Sequence, residues 1–229
     1  MTITTTTLTR AAGLAAVAAG LLFILIQFIH PQEGAASVTT TAWTVTHALG
    51  VVMAALTLVG ISGMYLRQVR ETGLLGLIGF VLFGSCYLLI TAFEFVEAFV
   101  LPAVADQAPR FVDDFLAIAA SGVIVGDVVA LVMASAVTGV TYVLGGLLFG
   151  VALFRAGILA RWAAVLLAVG SVGTLSVSVL PLALDRLIAV PLGVALAGLG
   201  YSLWRGQRTP AGRSLPSAAG PQLDPAGAQ

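Results

Sequence analysis

Apolar residues fill this chain in long unbroken runs, and polar residues are confined to the short breaks between them. The run over residues 11–29 is apolar on every face, and comparable runs cover residues 42–66, 74–103, 128–154, 158–184 and 187–204. A helix needs about 20 apolar residues to cross a hydrocarbon core of about 30 Å. It also satisfies its backbone hydrogen bonds internally, which lipid requires. The alternative spanning architecture, a β-barrel, is written as segments of about ten residues that alternate apolar and polar, and no such alternation occurs. The pattern predicts an all-α polytopic bundle of about six spans.

The breaks refine this picture. Arg67-Gln-Val-Arg70-Glu-Thr-Gly73 is a short basic turn that makes the second and third spans an antiparallel hairpin. Residues 111–154 are too long for one crossing and tight for two. They divide into a short helix over 111–126, lying at or dipping into the interface with Asp113, Asp114 and Asp127 around an apolar middle, and a crossing after it. Asp185-Arg186 is expected to be the turn between the last two spans, flanked by Pro181 and Pro191. Residues 205–229, rich in Arg, Pro, Gly, Ser and Ala, are expected to form a disordered tail. The first run is longer than the apolar core of a signal peptide and has a single arginine before it, so it is expected to stay in place.

Composition agrees with the pattern and removes several chemistries. The chain is 59% hydrophobic and 9% charged, with a mean hydropathy of +1.08, against about 25% charged for a soluble domain. Its one cysteine, Cys86, excludes an intrachain disulfide, a CxxC pair and a cysteine zinc site. Lysine is absent, which excludes a Walker A loop, a Schiff-base site and a lysine general base. Nothing in the charge pattern suits nucleic acid, and the lipid bilayer is the expected partner.

Arginines set the expected orientation, because cytoplasmic loops carry the basic excess. With both termini inside, Arg10, Arg67, Arg70, Arg155, Arg161, Arg205, Arg208 and Arg213 are cytoplasmic, and only Arg110 and Arg186 are outside. Trp43 is then expected at the outer edge of the second span, with Trp162 and Trp204 at inner edges. The Thr9-Arg-Ala-Ala-Gly13 entry, His30-Pro31 and Ala98-Phe-Val-Leu-Pro102 resemble small multi-span proteins of GC-rich bacteria. That resemblance implies a bacterial inner-membrane location and transfers no activity.

Ionisable groups inside spans are costly, so their positions carry information. Gln27 and His30 lie one turn apart at the outer end of the first span, and His47 sits a little inside the outer end of the second. At 1.5 Å per residue, His47 and Glu97 share a depth and Glu94 is one turn deeper. Tyr87, Thr91, Glu94 and Glu97 are spaced to share one helical face. Asp113, Asp114 and Asp127 add an acidic outer vestibule. This cluster suits a proton relay or the binding and translocation of a small solute, with Ser171, Thr174, Ser176 and Ser178 as further path-lining groups. It equally suits a structural or accessory subunit, in which the polar groups only fix packing. A third reading is a haem or divalent-metal site using His30 and His47 with a glutamate, although no metal-ligand spacing occurs within one helix.

Gly60-Ile-Ser62-Gly63 matches the nucleophile turn of rhomboid proteases, but Ser62 lies roughly 22 Å along the helix axis from His47, beyond any hydrogen bond. Gly146 and Gly150, and Gly193 with Ala197, form small-residue ridges suited to internal packing or to a homodimer.

Overall fold

A computed structural model describes residues 3–121, 129–175 and 182–206. Every described element is helical: α1 (Thr5–Ile29), α2 (Ala35–Val38), α3 (Thr41–Arg67), α4 (Val69–Phe95), a π-helical turn (Val96–Val100), α5 (Leu101–Val104), α6 (Pro109–Ser121), α7 (Val129–Ala156), α8 (Arg161–Gly173) and α9 (Leu182–Gly206). Four of the described helical stretches, Thr5–Ile29, Thr41–Arg67, Val69–Val104 and Val129–Ala156, are long and apolar enough to cross a membrane. Helix α8, at 13 residues, is shorter than one crossing.

Threonines set where two of these helices begin. The Thr4 hydroxyl accepts from the Thr7 backbone N–H, and the Thr40 hydroxyl accepts from the Trp43 N–H, each at 3.2 Å, filling donors that a helix start leaves unpaired. At the other end of α3 only Gln68 separates it from α4, which breaks at its fifth residue, Gly73, at φ 57°, a left-handed conformation that favours glycine.

Each long helix packs on the next in chain order, and α9 returns along α1, so the circuit of contacts closes. In lipid, helix association depends on close packing rather than on expulsion of water, and glycine supplies the closeness. A Cβ on Gly13 would stand 2.8 Å from the Gly200 carbonyl oxygen and the Trp204 nitrogen. Gly79 lies against the Phe149 backbone while Gly145, one turn along α7, lies against the Phe83 backbone, a reciprocal lock between α4 and α7. The ridges noted in the sequence are used inside the chain: Gly150 abuts Ala164 and Ala168 of α8, and Gly193 abuts Gly20 of α1. The opposite faces are exposed and apolar, as on α3 at Val45, Val52, Val59 and Leu66, which is the surface a bilayer covers.

A second, smaller core sits at the α6 end of the bundle. Val38, Trp43, Leu101, Val112, Phe115 and Leu116 bury one another, so the amphipathic α6 is held onto α3 and the end of α4. The expected short helix before the fourth crossing therefore exists as Pro109–Ser121. One feature differs from the sequence reading. Asp185 and Arg186 lie within α9 rather than in a turn, because α9 begins at Leu182 and a helix continues through two charged residues as readily as it stops at them. Trp43, the third residue of α3, is fully buried. Asp127, Ser176, Ser178, Pro181 and the tail from residue 207 lie outside the described residues.

Candidate functional site

The polar cluster is assembled by α3, α4 and the π-helical turn. Trp43, His47 and Gly50 follow one another at helical spacing on the buried face of α3. From α4 come Glu94 and, past the helix end, Glu97. His47 is 3% exposed, and its Nδ1 lies 2.9 Å from Glu94 Oε2 and 3.1 Å from Glu97 Oε2. The Nδ1 contact with Glu94 is a hydrogen bond. The other ring nitrogen, Nε2, is buried with no hydrogen-bond partner.

Glu94 and Glu97, three residues apart, share one helical face, and a π-helical turn begins between them. Here the Leu101 N–H bonds to the Val96 carbonyl, five residues back rather than four. In that register the donor to the Glu97 carbonyl would be residue 102, which is proline and has no N–H. The Trp43 indole N–H takes its place, donating to Glu97 O at 2.8 Å. Trp43 is thus buried because it completes the backbone of the π-helical turn, and its ring also packs on His47, the centroids 4.3 Å apart. A single-turn π insertion of this kind recurs at functional positions in helices.

Gly50 makes room for the second partner. A Cβ there would collide with the Glu94 carboxyl group, so glycine one turn along from His47 is what lets the carboxylate enter. His30 closes the cluster from the end of α1, its ring edge-on to His47 at 5.0 Å and to Trp43 at 6.1 Å. Its Nδ1 is 2.8 Å from the Pro31 carbonyl, and its Nε2 is 3.8 Å from Glu33.

Two cavities meet at Glu94. One, of about 330 Å³, lies between α4 and α7 and is lined by Ile90, Phe93, Glu94, Glu97, Ser135, Thr138 and Gly139. The other, of about 250 Å³, is lined by Phe23, Ile26, Gln27, Met53, Ile90, Glu94 and Tyr142. Gln27 therefore reaches the cluster through the second cavity, while its amide nitrogen donates to Phe23 O at 3.3 Å. Thr91 donates to the Tyr87 carbonyl at 2.7 Å, and Tyr87 is fully buried deeper in the bundle, beside Thr57. Asp113 is exposed and Asp114 half-buried on α6; neither lines these cavities. Ser171 and Thr174 donate to backbone carbonyls of their own helix and its end.

Sequence reasoning found His47, Glu94 and Glu97 but missed Trp43 as a hydrogen-bond donor, Gly50 as a gap, and Ser135, Thr138 and Gly139 as cavity walls. Pro102, five residues after Glu97 in an otherwise helical run, was the available signal for the first. No protein-family model, curated protein or solved structure matches the chain.

The charge arithmetic limits what this arrangement does. With both carboxylates ionised and the imidazole neutral the cluster carries two negative charges, and an uncompensated charge buried in low dielectric is strongly unfavourable. Neutrality takes two protons, or one divalent cation, or one proton with one monovalent cation.

Proposed function

We propose that this integral membrane protein binds and translocates protons or a small cationic solute through the His47, Glu94 and Glu97 cluster. In this reading it crosses the bacterial inner membrane six times with both termini in the cytoplasm and the cluster in the outer half. Carrying the proposal is the convergence of two carboxylates on one imidazole nitrogen, at 2.9 and 3.1 Å, within an apolar bundle. Intramembrane carboxylates beside imidazole are the components of proton relays and ion pathways. Glu94, which borders both cavities, is the group best placed to exchange a proton between them. The orientation rests on the arginine distribution.

The test is proton flux into vesicles holding the purified protein and a luminal pH dye. Under an imposed pH difference the wild type should acidify the lumen faster than empty vesicles. Glu94→Gln and Glu97→Gln should each lower that rate at least tenfold. Unchanged flux in both variants removes the carboxylates from the pathway and leaves the cluster a packing device.

A second reading has its own observation. The ligand atoms of His47, Glu94 and Glu97 all lie within 4.8 Å of one another, and the two Nδ1–Oε2 distances are close to the edge of an octahedron of radius about 2.1 Å, as hard divalent ions prefer. Against it, a metal-bound histidine ordinarily donates its other ring N–H to a carbonyl, carboxylate or water, and His47 Nε2 has no such partner. Stoichiometric metal in the purified protein, lost in Glu97→Gln, would decide for this second reading.

A further inference from the structure

We infer that the cavity between α4 and α7 is a binding site for a small protonated amine with an apolar body. The inference rests on the cation reading above and narrows it to a substrate class.

Size is the first consideration. A proton or a bare metal ion occupies no more than a water's share of space, about 30 Å³. The cavity holds about 330 Å³, at the lower end of the range for small-molecule pockets, about 300 to 1,000 Å³.

The polarity of the walls comes next. Ser135 Oγ donates to the Ile118 carbonyl at 3.4 Å and Thr138 Oγ1 donates to the Ala134 carbonyl at 2.8 Å. Each hydroxyl has one hydrogen, so what both offer the cavity is oxygen lone pairs. The other polar lining groups are Glu94 and Glu97, which as carboxylates also only accept. All four polar side chains are acceptors, so a ligand that fits them must bring hydrogen-bond donors, and the charge of the two carboxylates favours cationic N–H donors. An anion or a neutral acceptor is excluded by the same walls. Ile90, Phe93 and Gly139 complete the lining and suit an apolar body.

Glu97 supplies the under-filled position. It is nine-tenths buried and lines the cavity, and its Oε2 shares His47 Nδ1, 3.1 Å away, with Glu94 at 2.9 Å; one hydrogen between two carboxylates leaves Glu97 short of donors. An ammonium N–H at Glu97 and a proton on His47 together neutralise both carboxylates. The same count makes exchange of the amine for a proton charge-balanced.

The experiment uses the full chain in detergent, titrated calorimetrically with benzylamine, benzyl alcohol and benzyltrimethylammonium and corrected for empty micelles. Benzylamine should saturate one site, with the alcohol and the quaternary ion at least tenfold weaker, because neither carries an ammonium N–H. Glu97→Gln should weaken benzylamine at least tenfold. Gly139→Leu provides a variant that alters neither the carboxylates nor His47, since a Cβ at Gly139 meets nothing within 4 Å; filling the cavity should weaken benzylamine at least tenfold while the melting temperature in detergent stays near that of the wild type. Benzyl alcohol binding as tightly as benzylamine, or benzylamine binding unchanged in Gly139→Leu, overturns the assignment. If no amine saturates the wild type while Glu94-dependent proton flux is intact, the amine assignment falls and the proton reading stands alone.

Discussion

Along its length α4 is pressed against α7 at one end and stands away from it at the other. Toward its start, Gly79 and Phe83 interlock with Phe149 and Gly145, backbone against backbone, with no space between. Toward its end, Ile90, Phe93, Glu94 and Glu97 face Ser135, Thr138 and Gly139 across a cavity. The residues that differ are few, yet the two ends obey different constraints. In the locked region a glycine exists so that two backbones can touch, which is how helices associate when lipid offers no hydrophobic gain. In the open region Gly50 admits a carboxylate and Gly139 leaves space unfilled. One end is specified by contact and the other by room for something that is not part of the helices.

The largest loss of stability is expected from the locked end. A Cβ at Gly145 would collide with the backbone nitrogen of Phe83, and backbone has no rotamer by which to retreat. Gly145→Ala should destabilise by about 3 kcal/mol, the upper range for overpacking, read as a lower melting temperature in detergent. A melting temperature equal to that of the wild type would show that α4 and α7 are not locked there.

The next effect is smaller and belongs to the open end. Trp43→Phe keeps an aromatic ring against His47 but removes the donor to the Glu97 carbonyl, which Pro102 leaves without a backbone partner. A buried acceptor left unsatisfied costs about 1 to 3 kcal/mol. The π-helical turn loses its anchor at the same time, so proton flux through Glu97 should fall together with stability. A variant with lowered stability and wild-type flux would mean that the turn holds its shape without the indole.

The same contrast separates what the sequence makes legible from what it does not. Helices α1, α3, α4 and α7 follow from apolar runs, since length and hydropathy suffice to mark a span. The boundary between the last two runs was not legible, because Asp185-Arg186 reads as a turn in hydropathy yet sits inside α9. Depth along an axis is also readable at a fixed rise per residue, and it brought His47, Glu94 and Glu97 together. The shared face of Glu94 and Glu97 is readable too, from their spacing of three. The role of Trp43 at the start of α3 is not, because its partner is a carbonyl 54 residues away in the chain.

Gly50→Ala separates the two kinds of glycine most sharply, although its expected effect on stability is the smallest. As at Gly145, the added Cβ meets atoms too close to coexist with, but here they are the carboxyl end of Glu94, a flexible side chain. Moving that carboxyl to another rotamer costs on the order of 1 kcal/mol, and replacing glycine by alanine inside a helix returns about the same amount. The melting temperature should therefore stay near that of the wild type. The hydrogen bond between Glu94 and His47 should be lost, and proton flux should fall as far as in Glu94→Gln. The same substitution at two glycines is thus expected to destabilise the bundle in one place and to silence the site in the other. Should Gly50→Ala keep full flux, Glu94 would work without its contact to His47, and the imidazole would have no part in moving the proton.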